Sequence, residues 1–171
     1  MRAPRFWKDH RNKFNLISKV LEPISWIWII LTRIRINRVK QKASVPTICV
    51  GNINLGGVGK TPTVIAIAEK LKAMGHKPHI VSRGYGGKLK GPVLVSEKYN
   101  SEQVGDEPLL LSMVAPTWVS KDRMTGSRAA IENGCDVIIL DDGFQNGSLF
   151  KDLSIIVVDA KLGFGNEKVF P

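Results

Sequence analysis

The sequence predicts an α/β protein in which helices flank a mostly parallel sheet, and three observations support this prediction. From residue 45 onward, short apolar runs alternate with helical segments. Two of these runs, at 137–142 and 153–160, are almost wholly apolar and contain an aspartate at or near their ends, as is typical of parallel strands covered on both faces. A glycine-rich segment with a Lys-Thr pair joins the first strand to the first helix.

The elements follow one another in an order that suits one domain. Strands are predicted at 45–51, 77–82, 92–96 and 116–120, besides the two apolar runs, and helices at 61–74, from 106 onward and at 123–133. Gly75 and Gly134 follow two of the helices and are predicted to end them. Cys49 and Cys135 lie in or beside apolar runs, so both are interpreted as small core residues rather than metal ligands.

The positive charge is confined to the start of the chain. Residues 1–42 carry 11 Lys or Arg and two acidic residues, whereas the whole chain has a net charge of +10. The remainder is therefore nearly neutral. This asymmetry predicts an anionic partner for the N-terminal segment, either a nucleic acid or a membrane surface.

Residues 13–39 are predicted to be helical, with an interruption at Pro23. The apolar stretch 24–31 contains two tryptophans but is far shorter than the roughly 20 residues that a membrane span needs. A helix lying in the membrane interface fits better, so residues 13–42 are predicted to dock on a membrane surface. A helix packed on the protein's own core and a true span remain alternatives. Nucleic-acid binding is disfavoured, because the aromatic residues are separate from the basic ones.

The glycine-rich segment "GGVGKT" resembles a phosphate-binding loop. Its strict pattern requires a glycine where Asn54 stands, but the segment follows a strand and opens a helix, which is the expected context. Glycines let backbone N–H groups surround phosphate oxygens, and the helix N-terminus favours negative charge there. Lys60 is predicted to reach the β- and γ-phosphates and Thr61 to bind Mg²⁺. The predicted nucleotide-binding residues of this loop are Asn54, Leu55, Gly56, Gly57, Val58, Gly59, Lys60 and Thr61. The fold is therefore predicted to be phosphate-loop NTPase-like.

Two carboxylates follow the apolar run at 137–140. Asp141 and Asp142 are placed at the carboxyl edge of the sheet, where ligands of open α/β sheets bind. An aspartate there can hold Mg²⁺ directly or through water. Taken alone the pair is more often a turn, but beside a phosphate loop we interpret it as part of a metal site. These features predict a nucleoside triphosphate and Mg²⁺, and they do not identify the acceptor.

Six short stretches occur together in this order: "MRAPRFW", "GNINLGGVGKTP", "SRGYGGK", "VGDEPLLL", "DDGFQN" and "IIVVDA…GFGN". Together they resemble the tetraacyldisaccharide 4'-kinase family, the kinases of lipid A biosynthesis in Gram-negative bacteria. The resemblance implies a kinase on the cytoplasmic face of the inner membrane. It also implies transfer of the γ-phosphate of ATP to the 4'-hydroxyl of a tetraacylated disaccharide 1-phosphate, a lipid that lies in the bilayer.

The resemblance also assigns roles to individual residues. It implies that Asp106 is the catalytic base, although from its position alone Asp106 is simply an acid at a helix start. Glu107, Asp141 and Asp142 would belong to the metal site, and Gln145 to the nucleotide site. The loop Ser82, Arg83, Gly84 and Tyr85 would lie near the acceptor.

The chain departs from the family pattern in two places. Asn146 stands where the family usually has histidine, and the family continues into a second lobe beyond the segment that ends at Pro171. Residues 43–171 are therefore predicted to form the N-terminal lobe, after the docking segment 1–42. Two alternatives stay open: a membrane-docked ATPase switch without a small-molecule acceptor, and a non-catalytic remnant that binds nucleotide or lipid.

Overall fold

The computed structural model describes residues 23–31 without 25 and 28, and residues 41–52, 59–144 and 146–160. From residue 41 onward, the described residues form six strands and four helices. The strands are β1 (Thr47–Asn52), β2 (Pro78–Ser82), β3 (Val93–Leu94), β4 (Thr117–Val119), β5 (Val137–Asp141) and β6 (Leu153–Val157). The helices are α1 (Lys60–Ala73), α2 (Ser101–Val104), α3 (Asp106–Ser112) and α4 (Arg123–Glu132).

The strands form one sheet in the order β3-β4-β2-β5-β1-β6. All neighbouring pairs are parallel except β3 with β4. β1 lies between β5 and β6, and β2 lies between β4 and β5, so the carboxyl ends of the central strands meet at one edge. The predicted α/β architecture with a mostly parallel sheet is confirmed.

Core packing alternates between the two faces of the sheet, as the period of a strand requires. On β5, Ile138 and Leu140 join a cluster with Ala130 of α4, and Ile139 joins a second cluster with Val64 of α1. Cys49 and Cys135 are buried free thiols, as predicted. The helices therefore cover opposite faces of the sheet and hold its central strands rigidly at the core.

The apolar run 153–157 is the exception to the expected burial. Leu153 is 51% exposed and Ile156 is 41% exposed, whereas every residue of β2 and β5 is buried. The expectation that this strand is covered on both faces is therefore wrong for the part of the chain that the structure describes. The physical reason is position: β6 is the last strand of the sheet order, paired only with β1.

The chain enters the body at Gln41, next to the segment that leads into β6. The Gln41 amide donates to the Ser148 carbonyl at 2.9 Å, and the Phe150 amide donates to the Gln41 carbonyl at 2.8 Å. Asp152 adds two further contacts between the same parts of the chain. One of its carboxylate oxygens accepts a hydrogen bond from the Thr47 amide at 2.9 Å, and the other lies 3.2 Å from Lys42 Nζ. The end of the N-terminal segment is thus joined by hydrogen bonds to the stretch 148–152.

The N-terminal segment is described only in part. The described residues between 23 and 31 are helical, and Trp26, Ile27, Ile30 and Leu31 are each more than half exposed. No helix within the described residues has the length and apolarity that crossing a membrane requires. The remaining residues of the predicted docking segment 13–42 lie outside the description, apart from Gln41 and Lys42. Membrane docking therefore stays a prediction, as does the domain boundary at residue 42.

Candidate active site

Four elements bring predicted site residues to the carboxyl edge of the sheet. α1 begins there with Lys60 and Thr61, β5 ends there with Asp141, β2 ends there with Ser82, and α3 begins there with Asp106. Parallel pairing explains the convergence, because neighbouring strands that run in one direction end at the same edge. The predicted residues Asn54, Leu55, Gly56, Gly57, Val58 and Gln145 lie outside the described residues.

The start of α1 has the properties of an anion-binding helix terminus. Gly59, its N-cap, has a φ of +87°, and a Cβ placed there would meet nothing within 4 Å. No side chain caps the helix, and no acidic residue occupies its first turn. Pro62 has no N–H, and the Thr63 amide donates to the Gly59 carbonyl at 3.2 Å, so the amides of Lys60 and Thr61 are the ones at this helix start that can meet a ligand. The helix dipole favours a phosphate there.

Lys60 spans the space between the helix start and the end of β5. Its ammonium lies 2.9 Å from Asp142 Oδ1, and its side chain is 17% exposed against 56% for Asp142. Asp142 has a φ of +52° and donates its amide to the Val50 carbonyl at 3.0 Å, which holds it beside β1. The predicted phosphate-binding lysine and the predicted metal-site carboxylate are thus in direct contact.

Asp141 is the buried member of the acid pair. It is 2% exposed, and its Oδ2 accepts a hydrogen bond from the Ser82 hydroxyl at 2.8 Å. Burial raises the pKa of Asp141, while the Ser82 hydrogen bond and the nearby Arg123 charge lower it in part. The Ser82 hydroxyl therefore supports the acidic strand end, and the prediction that Ser82 lies near the acceptor stays a prediction.

Glu107 faces the same group of charges from α3. Glu107 is exposed overall, but partial burial of its carboxyl raises its pKa. The carboxylates of Asp141 and Asp142 raise this pKa further, and Lys60 and a hydrogen bond from the Thr61 hydroxyl lower it. Thr61 and Glu107, both predicted metal-site residues, are therefore bonded to each other. Asp106, the preceding residue, is exposed.

The glycine-rich loop after β2 is held against α2 and against Gly105, which precedes α3. The amides of Lys88 and Leu89 donate to the carbonyls of Glu102 and Gln103 at 3.0 and 2.9 Å. Gly105 has a φ of +91°, and a Cβ there would lie 2.6 Å from the Tyr85 carbonyl oxygen. Only glycine suits that position. The close approach places the backbone of the predicted acceptor loop one residue from Asp106, while the Tyr85 side chain is 87% exposed.

Arg123 is a central residue that sequence reasoning missed. It is 2% exposed, and its guanidinium donates to the carbonyl oxygens of Val81 at 3.2 Å, Asp141 at 2.7 Å and Asp142 at 3.3 Å. It therefore ties the ends of β2 and β5 together beneath the acid pair. A signal was present in the sequence: a cation opens α4, at the end where the helix dipole disfavours positive charge.

Asn146, the departure from the family pattern, is used within its own loop. Its Oδ1 accepts hydrogen bonds from the Ser148 amide at 2.8 Å and the Ser148 hydroxyl at 2.6 Å. Its own amide donates to the Gly143 carbonyl at 3.1 Å. The asparagine thus closes a compact turn just after the acid pair.

The donor set fits Mg²⁺ bound together with phosphates rather than by the protein alone. Among the described residues, no three His, Cys, Asp or Glu side chains form a group that could hold a metal ion by themselves. Mg²⁺ usually takes one or two carboxylates and completes its shell with phosphate oxygens and water. Thr61, Glu107 and Asp142 offer such a partial set next to the free helix start.

The raised pKa of Asp141 predicts a pH dependence of stability. Because the folded chain binds this proton more tightly than the unfolded chain, the free energy of unfolding falls as pH rises from about 4 through the raised folded-state pKa. Asp141→Asn is expected to flatten this fall, which urea unfolding at a series of pH values measures. Glu97→Gln, at an exposed acid, is the control and keeps the unsubstituted slope. Equal slopes in all three proteins would contradict the prediction.

The fold and these residues define a class. A parallel sheet whose carboxyl edge gathers a Gly-Lys-Thr helix start and a strand-end acid pair is the arrangement of phosphate-loop α/β proteins. The family model of tetraacyldisaccharide-1-P 4'-kinase matches residues 17–171. The chain belongs to this family.

Individual relatives agree with the family match. Tetraacyldisaccharide 4'-kinases of Jannaschia sp. (strain CCS1) and Dinoroseobacter shibae are 51% and 50% identical to the chain over its whole length. A crystal structure of LpxK from Aquifex aeolicus in complex with ATP shares 37% identity and superposes with a TM-score of 0.70 over 82% of this chain and 48% of that one. The chain spans about half the length of the relatives it matches, at 52% and 51% of the first two.

Proposed function

We propose that this chain carries the nucleotide-binding and catalytic-base half of a tetraacyldisaccharide 4'-kinase, which transfers the γ-phosphate of ATP to the 4'-hydroxyl of a tetraacyldisaccharide 1-phosphate. The observation that supports it most directly is the convergence at one sheet edge of a free helix start, Lys60 and three carboxylates, in a chain of this family. The matched structure holds ATP, which supports ATP as the donor here.

The phosphates of ATP would bind the first N–H groups of α1 and the Lys60 ammonium. In the structure that ammonium pairs with Asp142 at 2.9 Å, so a γ-phosphate would take over or share the lysine. The loop residues 54–58 and Gly59 would surround the phosphates, as their glycines allow, and Gln145 would contribute to the same site. The Lys60 charge would stabilise negative charge that develops on the transferred group.

The metal site would consist of Thr61, Glu107, Asp141 and Asp142. Mg²⁺ held there would supply positive charge that offsets the negative charge of the phosphates. Asp142 is the exposed carboxylate and Asp141 the buried one that accepts from the Ser82 hydroxyl. Asp142 would therefore contact the metal directly, and Asp141 would orient the strand end and act through water. The Thr61 hydroxyl, which is bonded to Glu107, would be a further oxygen ligand of this site.

Asp106 would act as the base. It is exposed at the start of α3, one residue from the point where the Tyr85 backbone meets Gly105. The acceptor hydroxyl would give its proton to the Asp106 carboxylate as its oxygen attacks the γ-phosphorus, and the bond from that phosphorus to the bridging oxygen would break to release ADP. Arg83 and Tyr85 are exposed beside this position and would contact the sugar.

A transfer assay tests the proposal. The chain would be incubated with γ-labelled ATP, Mg²⁺ and tetraacyldisaccharide 1-phosphate, and the labelled lipid separated from ATP. Label in the lipid supports the kinase. ATP hydrolysis at a rate that does not depend on the lipid would favour the ATPase switch. Nucleotide binding without any turnover would favour a non-catalytic remnant that binds nucleotide or lipid. Running one of the longer relatives in parallel shows whether the second half of the relatives' length is needed.

We further propose that residues 13–42 dock on the membrane in which the acceptor lies, at the cytoplasmic face of the inner membrane. The exposed apolar residues of the helical segment and the surrounding basic residues support this. Removal of residues 1–40, which keeps the Gln41 pairing, is expected to abolish most sedimentation with vesicles that contain anionic lipid. Trp26→Ser, at a side chain 66% exposed, is expected to weaken it in part. Unchanged binding of the shortened chain would contradict docking through this segment.

A further inference from the structure

The loop that follows the acid pair is seated against the strand that leads into the phosphate loop. A Cβ on Gly51 would lie 2.7 Å from the Phe144 Cβ and 3.5 Å from its amide nitrogen. Gly51 has no unusual φ, so glycine is needed there for space and not for backbone conformation. Phe144 packs partly buried on the cluster that contains Cys49 and Leu149. The packing of Phe144 against Gly51 therefore sets the distance between the end of β1 and the loop after β5.

Lys151 fastens this loop from its far end. Its ammonium donates to the carbonyl oxygens of Phe144 at 2.8 Å and Asn146 at 2.7 Å, and it lies 5.9 Å from the centre of the Phe144 ring. Hydrogen bonds from a charged donor are stronger than those between neutral groups. The side chain is only partly exposed, so water competes less for these carbonyls. One cation thus holds the loop at two points.

The fastened loop begins at Asp142, which contacts Lys60. Asp142 is bonded to the Val50 carbonyl, the residue before Gly51, and its carboxylate lies 2.9 Å from the Lys60 ammonium. Phe144 lies two residues after Asp142. A shift of Phe144 away from Gly51 would therefore also displace the Asp142 carboxylate relative to Lys60. Small displacements of such a carboxylate matter, because supporting contacts orient the groups that bind metal and phosphate.

We propose that Lys151 is a positioning residue of the nucleotide site: by holding the Phe144 and Asn146 carbonyls it keeps the loop seated on Gly51 and so fixes Asp142 relative to Lys60. This inference rests on the proposed nucleotide site and adds to it a residue that touches neither phosphate nor metal. It predicts that Lys151 and Gly51 act through one shared feature, the contact between Phe144 and Gly51.

The test is a double-mutant cycle read out by binding of a fluorescent ATP analogue with and without Mg²⁺. Lys151→Met keeps the aliphatic stem and removes the donor, and Gly51→Ala adds the Cβ that displaces Phe144. Each single variant is expected to weaken Mg²⁺-dependent binding about tenfold, the size usual for supporting residues of metal sites. The double variant is expected to lose clearly less than the product of the two single losses, because both act on one contact. Lys151→Arg, which keeps the charge and donors, is expected to recover most of the affinity.

Two controls separate positioning from loss of stability. Lys98→Met removes an exposed lysine that lies over the Tyr99 ring and is expected to bind the analogue normally. Gly134→Ala strains a residue with a φ of +85° at the opposite end of β5, so it is expected to lower the melting temperature and leave affinity unchanged. Hydrogen exchange of amides in 143–150 is expected to quicken in Lys151→Met without ligand.

The possible outcomes distinguish failure of the Lys151 positioning role from failure of the proposed nucleotide site. If the unsubstituted chain binds no ATP analogue, the nucleotide site and this inference fall together. If it binds but Lys151→Met keeps the same affinity and the same exchange in 143–150, the positioning role alone is overturned. Additive losses in the double variant also overturn it, because they would mean that Lys151 and Gly51 act on separate features.

Discussion

Asp106→Asn is expected to lower phosphate transfer about a thousandfold while leaving ATP affinity nearly unchanged. General base catalysis contributes about a hundredfold to ten-thousandfold in enzymes, and an amide cannot accept the hydroxyl proton. The side chain is exposed and its replacement has almost the same shape, so α3 and the nucleotide site are expected to stay intact. Single-turnover transfer and equilibrium binding of an ATP analogue measure the two effects separately.

Lys60→Met provides the contrast for this experiment. It removes the ammonium that lies 2.9 Å from Asp142, so both ATP binding and transfer are expected to fall. Assays in the 171-residue chain and at the matching position of a longer relative show whether the difference between the two variants is general. A rate within about threefold of the unsubstituted protein for Asp106→Asn would show that another group takes the proton.

Arg123→Met is expected to lower the free energy of unfolding by about 3–5 kcal/mol, the range for removing one member of a buried charged network. Three carbonyl oxygens at the ends of β2 and β5 would lose their donor, and an unsatisfied buried acceptor is costly. The Arg123 charge also lowers the pKa of Asp141, so that pKa is expected to rise further in the variant. Urea unfolding with linear extrapolation measures the stability.

Arg128→Met is the matched control, because Arg128 lies exposed on the same helix. It is expected to change stability by less than about 0.5 kcal/mol, as surface substitutions usually do. Arg123→Lys retains a charge but not the fork that reaches carbonyls on both strands, so partial loss is expected. A loss below about 1 kcal/mol for Arg123→Met would show that water or a neighbouring donor replaces the guanidinium.

The sequence predicted the central strands well because their signal is strong and local. β5 has four apolar residues followed by Asp141, with every position buried, and α1 repeats apolar residues at Val64 and Ala68 on one face. The four-residue helix α2 was missed, since it is too short to show a helical period, although Asn100 and Gln103 form a capping box around its start. The sequence could predict a strand near 93 but not that β3 would run antiparallel to β4.

The site was predicted in part for a similar reason. Lys60, Thr61, Asp141 and Asp142 follow fixed positions relative to a strand or a helix, so the topology alone brings them together. Arg123 acts through backbone carbonyls of residues distant in sequence, and Lys151 acts through carbonyls of the loop just before it. Nothing in the type of those residues reveals either contact. These contacts depend on the conformation of the loops in the folded protein. Patterns in a single sequence do not specify that conformation.

The pairing of Gln41 with the stretch 148–150 has a consequence for how the family can vary. Both hydrogen bonds of Gln41 join main-chain atoms, an amide on each side donating to a carbonyl on the other. Side-chain replacement at positions 41, 148 or 150 therefore leaves the connection between the N-terminal segment and the rim of the site in place. Only proline at 41 or 150 removes a donor. The side chains at these positions can therefore vary among relatives while the main-chain hydrogen bonds keep the N-terminal segment at the same distance from the acid pair.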